Sequence, residues 1–402
     1  MNPFKSISRW FSSLALAFAR EWQIVLHDQG VMIFFIVLPL IYPVVYTLIY
    51  NPEVVREMPI AVIDRSRSAE SRKLVRDAVA TPTVALYDYA TDMPEAKRWL
   101  AEGKVFGILE IDRDYGRNIG RMETAHATFY AQMSLLLRYR AFASALTDVQ
   151  IQDIADITKQ RADMLGSAAS SLSGAPISNE AHMLGDTQQG FASFIMPGIL
   201  VLILQQSIVL GMCMLSGTSR ERRRRNGGID PLMLRGVSPS ALAWGRTLCV
   251  SVFYIPATIY LLHIIPTVFN LPHIGSAADY MLFAVPFVLA SCFFGQTMAY
   301  LCTDRESCFL IVVVSSVVFL FLSGLTWPRY AFPPLWNVLA NVVPGSWGVE
   351  GFVRINSNGG SLAENSTPYL WLWGLTAAYF VLSVLVMHLV DRIERRRARL
   401  AA

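Results

Sequence analysis

Charged residues are scarce in this chain. They make up 16% of its 402 residues, against about a quarter in an ordinary soluble domain. Hydrophobic residues reach 53% and fall in blocks, so the composition is that of a membrane protein. Catalytic signatures are missing too. No G-x-x-x-x-G-K-[ST] occurs, and Gly103-Lys104 is followed by Val105 without the preceding glycine, so the chain has no loop of its own to cradle ATP phosphates. It also lacks H-E-x-x-H, G-x-S-x-G and Cys-x-x-Cys, which removes the usual zinc-protease, hydrolase and dithiol readings. The five cysteines, Cys213, Cys249, Cys292, Cys302 and Cys308, all lie in or beside apolar stretches. They read as small buried hydrophobes and argue against a disulfide framework. A cleavable signal peptide is not evident. The first apolar run begins near Val31 and is followed by Asn51-Pro52-Glu53 rather than a small-residue cleavage pattern, as in an uncleaved signal anchor.

The orientation is set by one stretch. From Phe191 to Leu215 there is no charge, and that length is enough to cross a bilayer. Arg220, Arg222, Arg223, Arg224 and Arg225 follow at once, and basic clusters stay on the cytoplasmic side. Residues 191–216 therefore form a span running inward. Counting from it gives an α-helical membrane protein with six transmembrane helices, an N-terminal amphipathic elbow helix and an inserted extracytoplasmic α/β domain. The elbow is expected over 1–30, where Phe4, Ile7, Phe11, Leu14 and Phe18 recur at helical spacing beside Lys5, Arg9 and Arg20, a pattern suited to the membrane interface. The spans are expected at 31–50, 191–216, 247–269, 281–301, 307–326 and 368–390. The cytoplasmic loop is 217–246, the outer loop with re-entrant helices is 327–367, and the basic tail is 391–402. Inner segments then carry 16 Lys and Arg, whereas the short outer loops carry two, Arg329 and Arg354. Pro39 and Pro43 in the first span are hinge candidates or packing features.

Residues 51–190 form the polar insertion, with 16 of the 34 basic and 19 of the 30 acidic residues. Strand signals at 60–63, 84–87, 105–111 and 127–130 alternate with helix signals at 68–80 and 93–102, which suggests a small α/β domain. A long helix is expected from Ser134 to about Leu165, and a Ser/Gly/Ala-rich linker over 166–190. In the outer loop, Leu335 to Val342 is apolar but too short to cross, as in a re-entrant or interfacial helix. Trp327, Trp336 and Trp347 suit headgroup depth, and Pro328, Phe332, Pro333 and Pro344 complete a cap over the outer mouth of the bundle.

Polar groups inside spans are few. His263 is either a functional group or a neutral side chain near the outer end. Gln205, Gln206 and Gln296 either bond between helices or face a substrate path. A short helix over 229–235, between glycine and proline punctuation, is either a docking surface for a soluble partner or part of a plain basic anchor.

These residues, in order, resemble an ABC-2 type permease, the transmembrane half of a type V ABC exporter. More narrowly, the chain looks like bacterial efflux permeases with a large periplasmic domain between the first two spans. Arg20-Glu21, Asp28 and Pro39 match the elbow and first span. Pro59 to Asp64, Ser68, Ser71-Arg72, Glu95-Ala96 and Gly103 match the opening of the periplasmic domain. Met196-Pro197-Gly198 matches the second span, and Ser323-Gly324, Pro328, Phe332-Pro333, Trp336 and Pro344 match the outer-loop signature. The cytoplasmic segment departs from the pattern, because Arg220-Glu221-Arg222 is followed by extra arginines and Asn226-Gly227-Gly228.

The resemblance implies an inner-membrane dimer, with a second copy or a paralogue, served by separate ABC ATPase subunits. ATP and Mg would sit on those partners and no cofactor on this chain. Arg20, Glu21, Asp28, Glu221, Gly228, Ile229, Leu232, Leu234 and Arg235 would couple ATPase closure to the bundle. Spans two and five would line the path, and an amphipathic substrate would leave past the cap. Membrane lipids are implied as surroundings and a periplasmic adaptor protein as a further partner; nucleic acid is not. The competing readings are a membrane-anchored, partner-binding structural protein without transport activity, and an ion-coupled transporter, against which the lack of intramembrane carboxylates argues.

Overall fold

The computed structural model describes residues 3–50, 56–121, 123–131, 136–165, 190–225, 232, 236–300 and 305–401. The chain divides into two units, Met1–Asn51 with Met183–Ala402, and Pro52–His182.

The first unit begins with α1, Pro3–His27, which buries Ala17, Glu21, Ile24 and Val25 and leaves Ile7, Phe11 and Leu16 exposed. Asp28 ends it and caps α2, Gln29–Tyr50, by accepting from the N–H groups of Gly30 and Val31 at 3.1 and 3.3 Å. A π-turn at Ile33–Val37 lies just before Pro39. Proline removes one i→i−4 bond, and the wider turn absorbs the lost donor.

In the second unit, strands β1, Met58–Asp64, β2, Val84–Tyr89, β3, Gly107–Ile111, and β4, Ala127–Ala131, alternate with helices α3, Ala69–Ala80, α4, Met93–Ala101, and α5, Tyr115–Arg121, and end in α6, Leu136–Leu165. The sheet order is β2-β1-β3-β4, with β1 parallel to both neighbours and β4 antiparallel to β3. Ile60 and Val62 pack to one side with α3 and α6, while Ala61 and Ile63 pack to the other with α4. Burial on both faces explains why β1 reads as a continuous apolar run. Ser68 and Asp92 cap α3 and α4 by accepting from Ser71 N and Glu95 N. Gly103, at φ +72°, ends the α4 region in the left-handed conformation that glycine adopts without cost. Asp153 on α6 accepts from Lys73 on α3 at 2.6 Å and holds the Lys73 ammonium above its ordinary value.

The first unit resumes with α7, Phe191–Arg225, α8, Pro239–Val268, α9, Ala277–Ala299, and α10, Arg305–Leu322. The short α11, Pro334–Val342, and α12, Pro344–Asn356, follow, and α13, Ser366–Ala401, ends the chain. A second π-turn in α8, Tyr260–Ile264, again lies just before a proline, Pro266. Among the described residues, five helices are long and apolar enough to cross a membrane: α2, α7, α8, α9 and α13. The stretch expected as the fifth of six spans appears as the shorter apolar helix Ser307–Leu322. Exposed Ile36, Leu40, Ile41, Leu48 and Ile49 on α2 have no soluble explanation and suit contact with lipid. By contrast, 89% of the apolar window of α7 is buried, so α7 is the central post of the bundle.

Several boundaries differ from the sequence reading: α9 starts at Ala277 rather than 281 and α10 ends at Leu322 rather than 326. Helix α7 continues through the arginine cluster, α8 starts at Pro239 rather than 247 because Ser238 caps it, and α13 carries the basic tail. Helix α5 was not expected at all; its two glycines and two arginines in seven residues hide its periodicity. The linker 166–189 and most of the 229–235 helix lie outside the described residues.

Phe142 on α6 is fully buried and sits over Gly107, where a Cβ would lie 2.6 Å from its ring. Phe142→Ala should cost roughly 3–5 kcal/mol, and Ile151→Ala, at an exposed position, within about 0.5 kcal/mol. Urea-dependent proteolysis of the purified full chain checks both values.

Candidate coupling junction and outer cap

The junction at the arginine-rich end of α7 is built from the elbow. Trp10, Leu14, Phe18 and Trp22 pack against the membrane core. Trp10 Nε1 donates to Ser240 Oγ at 3.1 Å, and Trp22 stacks on Phe253 with centroids 4.3 Å apart. The helices touch closely where Gly245 faces α1, since a Cβ there would lie 2.6 Å from Ala17 Cβ and 3.1 Å from Phe18 N.

One turn further along α1, Glu21 meets Arg246, the residue that follows Gly245. Arg246 Nη2 donates to Glu21 Oε1 at 2.9 Å and to Ser219 Oγ at 3.0 Å. Its Nη1 donates to Ser216 Oγ at 3.4 Å. The side chains are 0% and 7% exposed, so this pair is out of water. A single guanidinium thus ties the elbow and α8 to the C-terminal part of α7. Asp28 adds a second tie: while Oδ1 caps α2, Oδ2 accepts from Thr218 Oγ1 at 3.2 Å. Arg220 extends the contact to α9, donating to Tyr300 O at 3.1 Å with its guanidinium over the Tyr300 ring.

Of the expected coupling residues, the structure sets Asp28 directly against α7 and links Glu21 to it through Arg246, and places half-buried Arg20 one residue before Glu21. Leu232 is buried, and its carbonyl accepts from Val237 N. Glu221 lies within α7. Gly228, Ile229, Leu234 and Arg235 lie outside the described residues. Arg246, Ser219 and Thr218 were missed as site residues. The signal was present: Glu21 interrupts the apolar stripe Leu14–Phe18–Val25 of the elbow, and Arg246 stands in an otherwise uncharged helix start. Two opposite charges placed on burying faces call for each other.

The three glutamines differ. Gln296 Nε2 donates to Ala243 O at 3.0 Å and Thr247 Oγ1 at 2.6 Å, a bond from α9 to α8. Gln205 is fully buried, and no hydrogen-bond partner faces its amide among the described residues. A Cβ on Gly345 of α12 would lie 1.8 Å from its Oε1, so Gln205 presses on that backbone. Gln206, less deeply placed, likewise has no such partner there.

The stretch expected as the outer loop folds as a 3-10 turn at Arg329–Ala331 followed by α11 and α12. Arg329 pairs with Glu350 and Asn341 and lies 4.0 Å over the Trp347 ring, while Glu350 also pairs with Arg354 at 2.6 Å. Trp347 is 8% exposed and stacks on Trp371. Its Nε1 donates to Asn341 O at 3.1 Å. Buried Pro344 starts α12. Pro328 leads into the 3-10 turn. Phe332, Pro333 and Trp336, with Trp327, Thr326, Phe321, Leu322 and Val318, line an apolar pocket of about 390 Å³. Among the described residues no group of three His, Cys, Asp or Glu side chains is set to hold a metal.

The family model described as "ABC-2 family transporter protein" matches residues 30–385. No curated protein matches the chain.

Removing one member of the buried pair, as in Glu21→Ala or Arg246→Ala, should cost about 3–5 kcal/mol, while replacing both with apolar residues of similar volume should cost far less. Thermal melting of the detergent-purified variants in a double-mutant cycle measures the difference.

Proposed function

From a chain that belongs to the ABC-2 transporter family, whose permeases normally work with an ABC ATPase subunit, we infer the permease subunit of an ATP-driven exporter. It moves an amphipathic or hydrophobic substrate outward across a bacterial inner membrane. Separate ATPase subunits hold ATP and Mg, and no cofactor resides on this chain. The permease works as a dimer with a second copy or a paralogue. Six spans put both termini in the cytoplasm and the Pro52–His182 unit in the periplasm, where an adaptor protein is a further candidate partner.

The buried Glu21–Arg246–Ser219 junction carries this reading. Force applied to the elbow, or to the arginine-rich end of α7, reaches the inner ends of α7 and α8 through groups that cannot separate without leaving a charge unpaired in apolar surroundings. The apolar face of α10, with Leu310, Val314, Val317 and Phe321 exposed, supports a seam with a second permease. The 390 Å³ pocket beside the outer end of α10 supports an apolar moiety as part of the cargo.

Deletion of residues 229–235 should abolish ATP-driven export while leaving membrane insertion intact. Efflux from cells expressing the permease with its ATPase measures this. Export that survives the deletion rejects docking at that segment.

A further inference from the structure

Far along α8 from the junction, two histidines and a tyrosine converge. His263 lies in the π-turn of α8, His273 in the connection to α9, and Tyr280 in the first turn of α9. His263 Nδ1 is 2.6 Å from Tyr280 Oη and 3.1 Å from His273 Nε2. Tyr280 Oη is 3.1 Å from His273 Nε2. Tyr280 is fully buried, whereas both rings retain some exposure, so the triangle has a side through which an ion can enter.

The surroundings select the lone pairs. Asn356, the last residue of α12, is fully buried, and its Nδ2 donates to Pro272 O at 2.9 Å. Its Oδ1 is therefore the acceptor facing His273 Nδ1. A neutral His273 then carries its proton on Nδ1 and its lone pair on Nε2, pointing at His263 and Tyr280. A ring N–H held by a carbonyl while the other nitrogen stays free is the arrangement that orients a metal-ligating imidazole. The support is rigid. Asn356 O accepts from Ile274 N at 2.9 Å and Gly275 N at 3.1 Å. Gly275 runs so close that a Cβ there would lie 2.1 Å from Ile355 O.

We propose that His263 Nδ1, His273 Nε2 and Tyr280 Oη bind one divalent transition-metal ion of the zinc or copper class. Imidazole nitrogen and oxygen donors suit these ions. Donors around a tetrahedral ion at about 2.0–2.1 Å stand roughly 3.3 Å apart, so the two longer edges of the triangle already nearly fit and the short edge opens. The phenol loses its proton to solvent when it coordinates, and water completes the shell. A bound ion fastens the α8–α9 connection to both helices and, through Asn356, to α12. It acts as a staple at this end of the bundle and takes no part in ATP coupling. The competing state is a purely hydrogen-bonded chain from His263 Nδ1–H through the phenol to His273.

The test uses the full chain in detergent, without a polyhistidine tag, stripped with chelator. Zinc titration in competition with a chromophoric chelator should find one more site per chain in the wild type than in a H263Q/H273Q variant, and Y280F should weaken that site about tenfold or more. Copper(II) added to the wild type should give a phenolate-to-copper charge-transfer band that Y280F lacks. The band needs only the wild-type protein to be folded, so it decides the matter even if the double variant fails to fold. Equal stoichiometry in wild type and variant, or a wild type without the band, overturns the proposal and leaves the hydrogen-bonded chain.

Discussion

A carboxylate and a guanidinium taken out of water must stay together. That constraint, imposed by Glu21 and Arg246, organises the end of this bundle that carries the arginine cluster. Each charge alone would carry a desolvation cost of several kcal/mol. Together with Ser219, they convert three separate helix ends into one joint. The elbow α1 would otherwise be an interfacial helix held by apolar contacts, free to slide on the bundle. With the pair in place its register against α8 is fixed, and the close approach of Ala17 to Gly245 follows from the same register.

The rest of the membrane unit hangs from α7. It is enclosed by its neighbours, meets α12 through the Gln205–Gly345 contact, and receives both Asp28 and Arg246 in its C-terminal part. The opposite side is knit by a different device. Arg329 is held by Glu350, Asn341 and the face of Trp347, which fixes the segment between α10 and α12. One continuous post thus connects a charged joint on one side to a capped loop on the other. That is the mechanical element a permease needs if its energy comes from a separate subunit.

Much of this was legible in the sequence. Unbroken apolar runs located the helices, because lipid-facing and buried faces are both greasy. Strand β1 was legible because burial on both faces leaves Ile60 to Ile63 no polar position. The serine at the start of α3 and the stop at Gly103 followed from local chemistry, whereas the Asp92 cap of α4 was not read. Starts and ends inside the polar inner loop were not legible: arginines continue a helix as readily as a loop, so α7 and α13 ran further than their apolar windows. Partners were harder still. Glu21 was singled out by its resemblance to a known elbow pattern, but its partner is 225 positions away, and no periodicity connects two such sites. The same holds for Asn356, which holds the loop carrying His273 and meets it only in three dimensions.

The account stands on the elbow and the inner end of α8 moving as one body. Trp10 and Ser240 touch across that boundary, so cysteines placed at both positions can be tethered by a reducible bis-methanethiosulfonate cross-linker that spans the length of the lost indole. ATP-driven export in vesicles holding the permease and its ATPase should be unchanged with the tether closed. Export lost on closing the tether and regained on reduction would mean that the elbow slides against α8 in each cycle, and would contradict the joint described here.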